Sequence, residues 1–227
     1  MSGTIALVGG GEWTDGCTFD AALLAASGGT EVVVLPTAAA FEQPGRAVAT
    51  ATAWFESIGG TARGLHVLNR RDALDPANVA AVRAARFLYL GGGSPLHLRS
   101  VLKETPLWEA LDDAFNEGAV VAGSSAGAMV LGDPMVDPRG GAFTVGLGLA
   151  PNVAVLAHAS SDVARDHKRT FELAGAGVVL AAIPERSALI RGADGVWASA
   201  GQKPATIWVD GEERGFDALP QITPPGS

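Results

Sequence analysis

The sequence predicts an α/β fold: a doubly wound, mostly parallel sheet with helices on both faces and an antiparallel C-terminal edge. Three observations predict it. Short apolar runs alternate with alanine-rich, helix-compatible segments through the first 130 residues, the alternation that builds a parallel sheet covered on both faces. The runs are continuously apolar rather than alternating with polar residues, as expected of strands buried on both sides. After Gly140 the pattern changes to further apolar runs and then short ones joined by glycine turns, which suits antiparallel strands at an edge.

In chain order, residues 5–8 (Ile-Ala-Leu-Val) form the first expected strand and run into the turn Gly9-Gly10-Gly11. Residues 32–35 meet Pro36-Thr37, and residues 87–90 meet Gly91-Gly92-Gly93. Residues 19–26, 46–58 and 76–85 are the intervening helices, the last opened by Asp75-Pro76 as N-cap and first turn. A strand is expected around His66-Val67-Leu68. Residues 118–122 form a strand that delivers Gly123-Ser124-Ser125-Ala126-Gly127-Ala128, and a helix continues through Leu131. Residues 153–157 and 178–183 are expected strands flanking one polar helix over 161–173. Residues 188–191, 196–199 and 206–209 complete the edge, and the proline-rich segment 220–227 is expected to be a loose tail.

A chain of 227 residues is long enough to bury a sizeable core and is expected to be a single domain. The formal charge of −8 argues against nucleic acid as a partner, since phosphate binding needs a basic footprint. No apolar run approaches the length of a membrane span. The start Met1-Ser2-Gly3-Thr4 lacks the basic and apolar regions of a secretion signal. The single cysteine, Cys17, excludes an internal disulfide and a cysteine-rich metal site, which fits a reducing cytosol. A cytoplasmic protein, monomeric or homodimeric, is expected.

The segment around Ser125 matches G-x-S-x-G between a strand and a helix. In such an elbow small residues let the backbone reverse sharply, so the central hydroxyl is exposed and the next amide points at a developing oxyanion. The same residues also suit an ordinary turn between strand and helix. A serine needs a base to take its proton, usually a histidine held by a carboxylate. Of the four histidines, His158 ends an apolar strand, at the edge where doubly wound sheets carry their sites. His66, His97 and His167 fit solvated or packing roles, with His97 near a strand-ending loop. For the acid, Glu185 follows the run 178–183 and Pro184, while Asp133 and Asp137 compete from proline-containing turns. Ser125, His158 and Glu185 are thus expected on one sheet edge. Their order, Ser-His-acid, differs from the Ser-acid-His order of α/β-hydrolases.

These motifs together resemble the dipeptidase E and cyanophycinase family of serine peptidases, whose fold is related to the class I glutamine amidotransferases. Gly123 to Ala128 matches the family's G-x-S-A-G-A, Gly91-Gly92-Gly93-Ser94 its G-G-G-N turn, Ala157-His158 its histidine-bearing strand end, and Pro184-Glu185 its acid. The resemblance extends from Ile5 to about Asp210. It implies a Ser125-His158-Glu185 triad and an oxyanion hole made by the amides of Gly92 and Ala126, with no metal or cofactor. It also implies substrate contacts from Arg165, Lys168 and Ser94 and a small peptide substrate with an acidic residue before the scissile bond. The segment 162–169 equally suits a charged helix face with internal pairs. Ser94 stands where the family has asparagine, Pro95 follows it, and Ala159 stands where phenylalanine is common, so the pocket is expected to differ from that of described members. An amidase-like hydrolase and a non-catalytic ligand-binding module are the alternative readings.

Overall fold

The computed structural model describes residues 3–221, so most of the expected tail lies outside the described residues. Seven strands form the main sheet, in the spatial order Trp197–Gly201, Ser187–Arg191, Thr4–Val8, Val120–Ser124, Phe87–Leu90, Glu31–Leu35 and Thr61–Gly64. The last five are mutually parallel. The first two form the antiparallel edge expected for the C-terminal stretch.

Alternation along each strand divides the core between two faces, because successive side chains point to opposite sides. Ile5, Leu7, Val33, Leu35, Leu88 and Leu90 enter one apolar cluster, beneath the helices Pro76–Arg83, Pro95–Leu102, Pro106–Asn116 and Ala126–Leu131. Ala6, Val8, Val32, Val34, Phe87 and Tyr89 enter the other, beneath Phe19–Ala26 and Pro44–Ser57. The helices Pro95–Leu102 and Pro106–Asn116 were not among the expected elements, although each carries a start signal. Proline occupies the first turn, and Ser94 or Thr105 accepts a backbone N–H as N-cap.

Three expectations are corrected. No strand includes His66: Thr61–Gly64 ends before it, and the Asp72 carboxylate takes the N–H groups of Leu68 and Asn69 at 2.8 and 3.1 Å, turning the chain away from the ladder. The polar helix is split into Val163–Asp166 and Lys168–Leu173, because His167, at φ −114° and ψ 26°, leaves helical backbone.

The third correction concerns the sheet itself. Val153–Leu156 and Val179–Ala182 pair in parallel with each other but belong to a second sheet. Its order is Glu212–Arg214, Thr206–Val209, Val179–Ala182, Val153–Leu156, Gly132–Asp133 and Ala150–Pro151. Val153, Val155, Val179, Ala181 and Ile207 pack into the cluster that holds Val130 and Leu131, so this sheet covers the far side of the elbow helix. Its outer face, Ala154, Leu156, Leu180 and Ala182, lies under Val163, Phe171 and Trp208. No helix among the described residues is long and apolar enough to cross a membrane.

An ionisable carboxyl group sits inside this core. Asp20 is fully buried; Oδ2 accepts from Trp54 Nε1 at 2.8 Å, and Oδ1 has no partner. Burial, with a smaller contribution from the Glu12 charge, raises its pKa to about 7. The unfolded chain releases this proton near pH 4, so between about pH 4 and 7 the native state binds the extra proton and stability falls as pH rises. Asp20→Asn, a neutral amide in the same place, is expected to stabilise the protein, with the gain growing by about 2 kcal/mol from pH 5 to pH 8. Urea denaturation at the two pH values tests this. A gain independent of pH would mean that Asp20 is ionised in the native state throughout.

Candidate active site

The strand Val120–Ser124 ends in a sharp reversal at Ser125, with φ 49° and ψ −108°, backbone angles that a side-chain-bearing residue adopts only under constraint. The constraint is visible on both sides. Ser125 N–H donates to Val8 O at 2.9 Å, and Met129 N–H donates to Ser125 O at 2.9 Å. A Cβ on Gly127 would lie 2.2 Å from Leu90 O, and one on Gly123 would lie 2.5 Å from the Gly127 carbonyl carbon. Glycine is therefore required at both positions by close backbone approach, and Ser125 is left half-buried at the sheet's carboxyl edge.

The base follows the second-sheet strand Val153–Leu156, and the acid lies in the connection from Val179–Ala182 to the main-sheet strand Ser187–Arg191. Ser125 Oγ lies 2.7 Å from His158 Nε2, and His158 Nδ1 lies 3.0 Å from Glu185 Oε1. Nδ1–H donating to the carboxylate leaves Nε2 to accept the serine proton, the tautomer that general-base catalysis needs. The imidazole and carboxylate side chains are 50% and 55% exposed, so as an ion pair they contribute little to stability.

Both are held by the turn after the first strand. His158 N–H donates to Gly9 O and Arg186 N–H to Gly10 O, each at 2.7 Å. The three residues come from the meeting edges of two sheets rather than from one sheet, because the glycine turn bridges them.

Gly92 lies beside the serine: a Cβ there would be 3.6 Å from Ser125 Cβ. Its N–H is already engaged, donating to Glu12 Oε1 at 2.9 Å, while Ser124 Oγ donates to Glu12 Oε2 at 2.8 Å. Ala126 N–H opens the elbow helix and has no protein acceptor among the described residues, as is usual in a helix's first turn. Glu12 was not among the residues singled out in the sequence. Its signal was its position, directly after a triple glycine at a strand's carboxyl end.

The other candidates are dispersed. Ser94 caps a helix by accepting from His97 N–H at 3.3 Å. His97 Nε2 bonds Leu68 O at 2.9 Å, and His66 is exposed. Asp133 accepts from Gly146 N–H. Asp137 is held by Arg139, whose side-chain and backbone N–H groups lower its pKa to about 2. Cys17 is buried, with its thiol pKa raised chiefly by burial. Among the described residues no group of three His, Cys, Asp or Glu is disposed to hold a metal ion.

Arg165 and Lys168 do not line the cavity beside His158. Arg165 pairs with Asp162 and Asp166, and Lys168 with Glu172, with the two side chains 80% and 78% exposed. A cavity of about 490 Å³ beside His158 is lined instead by Arg169, Arg139, Thr170 and His167. Burial lowers the His167 pKa. An open cleft of about 590 Å³, lined by Glu12, Gly92 and Arg46, lies on the Gly92 side.

Comparison with known proteins identifies related chains. The profile of peptidase family S51 matches residues 5–171. Cyanophycinases of Trichormus variabilis and of a Nostoc species are each 32% identical over 115 residues, 46% of this chain and 39% of theirs. The cyanophycinase of Synechococcus elongatus is 34% identical over 104 residues, 41% of this chain and 32% of its own. The matched region is thus well under half the length of these relatives. A peptidase from an acI-B1 actinobacterium superposes with a TM-score of 0.82 at 28% identity, covering 94% of this chain and 93% of that one. A putative peptidase E from Listeria monocytogenes, at 16% identity and a TM-score of 0.67, covers 89% of this chain and all of its own and shares the fold.

Proposed function

The chain belongs to peptidase family S51, and from that premise we propose that it is a serine peptidase that hydrolyses small peptides through an acyl-enzyme on Ser125. One observation carries the reading: the continuous hydrogen-bonded path from Ser125 Oγ through His158 to Glu185, with steps of 2.7 and 3.0 Å. Ser125 Oγ attacks the scissile carbonyl carbon as His158 Nε2 takes its proton. Glu185 holds the ring orientation and stabilises the imidazolium that forms. His158 then gives the proton to the leaving amine, the C–N bond breaks, and the acyl group remains on Ser125. Water, deprotonated by the same imidazole, attacks the acyl carbon; the bond to Ser125 breaks as Oγ takes the proton from His158, and the acyl group leaves as the free acid. The developing oxyanion is received by Ala126 N–H and, once Glu12 Oε1 releases it, by Gly92 N–H. The reaction as written uses only side chains, amides and water.

Treatment with a fluorophosphonate followed by intact-mass analysis tests the reading. Wild type is expected to gain one adduct that Ser125→Ala does not. An adduct on both proteins, or on neither, would overturn it.

The acyl side of the substrate carries an acidic, aspartyl residue in this reading. The cation best disposed to receive it is Arg169, which lines the cavity beside His158 and makes no ion pair among the described residues. A guanidinium suits a carboxylate because its fork donates two parallel hydrogen bonds. Arg169→Ala is expected to raise KM for an aspartyl substrate about tenfold with kcat little changed, the size of one such contact. Arg165→Ala and Lys168→Ala are expected to change KM by less than about twofold, as exposed surface pairs do. A tenfold effect at Arg165 with none at Arg169 would reverse the assignment. The cyanophycinase relatives and the exposure of His158 and Glu185 make cyanophycin the second substrate to try.

A further inference from the structure

The amide proposed to stabilise the oxyanion is occupied by the protein's own carboxylate. Glu12 Oε1 accepts from Gly92 N–H at 2.9 Å, and Oε2 is held by Ser124 Oγ at 2.8 Å, one residue before the serine. Among the described residues, no lysine or arginine lies within ion-pair distance of Glu12. The carboxylate is half-buried and lines the open cleft on the Gly92 side. A carboxylate with no partner cation at the position where an anion must form opposes the reaction until it moves.

A substrate carbonyl oxygen cannot accept from Gly92 N–H while Oε1 does. Displacing Oε1 alone sacrifices a hydrogen bond to an ionised acceptor and leaves like charges facing each other as the oxyanion develops. The exchange becomes favourable when the departing Oε1 meets a cation within a short rotation, with Oε2 still anchored on Ser124. In a peptide whose first residue is the acyl residue, the α-ammonium lies two bonds from the scissile carbonyl carbon, about 3 Å from its oxygen. We propose that Glu12 is a specificity-determining carboxylate that covers the Gly92 amide in the resting enzyme and exchanges onto the substrate's α-ammonium as the carbonyl oxygen takes its place. A bond inside a longer chain, or behind a blocked N-terminus, has a neutral amide at that point, offers Glu12 no cation and is expected to be cleaved more slowly.

The inference rests on the acyl-enzyme reading above, and one set of measurements separates the two. An aspartyl anilide with a free α-amine and its N-acetyl counterpart are compared with wild type and Glu12→Gln, with fluorophosphonate labelling of Ser125 run in parallel. The glutamine keeps a neutral group between Gly92 N–H and Ser124 Oγ, so a purely structural role would survive the change. Wild type is expected to favour the free amine by about 10- to 100-fold in kcat/KM, the range of a hydrogen bond to a charged group. Glu12→Gln is expected to bring the ratio to within about threefold.

The wild type alone supplies a second arm. A reactive phosphonate bearing an α-ammonium is expected to label Ser125 about tenfold faster than its acetylated twin. Labelling and cleavage with an undiminished ratio in Glu12→Gln, or with no preference in wild type, would overturn the role of Glu12 while leaving the acyl-enzyme intact. A wild type that neither labels nor cleaves would overturn both.

Discussion

Ser125→Ala is expected to lower kcat/KM on a cleavable aspartyl anilide by about four to six orders of magnitude, the loss seen when a triad nucleophile is removed. The magnitude follows from geometry. Ser125 Oγ is 2.7 Å from the only imidazole in contact with it among the described residues, whereas Cys17 is buried, with its thiol bonded to Gly11 O at 3.4 Å, and the Ser124 hydroxyl donates to Glu12. His158→Ala is expected to lose nearly as much, and the double variant no more than either alone, because base and nucleophile act as one unit. Steady-state kinetics on the three proteins checks this. Additive losses, or a Ser125→Ala enzyme within tenfold of wild type, would show that some other group attacks.

Gly10→Ala is expected to cost about 100- to 1000-fold in kcat/KM, although residue 10 contributes no chemistry, since misplacing a catalytic group by about 1 Å costs on that order. A Cβ at this position would lie 2.3 Å from His158 Cε1 and 2.6 Å from Nδ1. The ring must therefore leave the line between Ser125 and Glu185. Residue 10 also sits at φ +121°, where any side chain is strained, so a stability loss on the order of 1–3 kcal/mol accompanies the change. The two effects separate by assay. Urea denaturation reads the strain, and kinetics below the transition read the displaced ring. Activity within a few-fold of wild type in folded Gly10→Ala would mean that the ring has room to shift without penalty.

Much of this was legible in the sequence. Continuous apolar runs such as Phe87-Leu88-Tyr89-Leu90 have one physical explanation in a chain of this length, burial on both faces, and the sheet follows from them. The helix Phe19–Ala26 has the bounds expected, because glycines and polar residues punctuate both ends. Ser125, His158 and Glu185 stood out since each follows a strand, and the structure brings their side chains together.

What escaped the sequence depends on distance in space. Nothing local distinguishes strands of one sheet from strands of two, so the second sheet, whose strands lead into the segments of His158 and Glu185, was read as part of the first. Nor does a helix face show which of Arg165, Lys168 and Arg169 points at a cavity. The break at His167 shifts the outcome by one residue. Glu12 and the collision at Gly10 are contacts between residues far apart in sequence, and no spacing rule contains them.

The two carbonyls of the first glycine turn, Gly9 O on His158 and Gly10 O on Arg186, have a consequence for the order in which activity arises. The chain completes its serine elbow by about residue 131, yet the partners that arm the serine are synthesised later and are fastened to residues made almost at the outset. Contacts of such long sequence separation are closed late, after the entropy of the intervening loop has been overcome. A nascent or truncated chain therefore presents the hydroxyl without its base. In the proposed reading, the hydrogen-bonded path that arms Ser125 is therefore among the last parts of the fold expected to close, joining the first glycine turn to segments near residues 158 and 186.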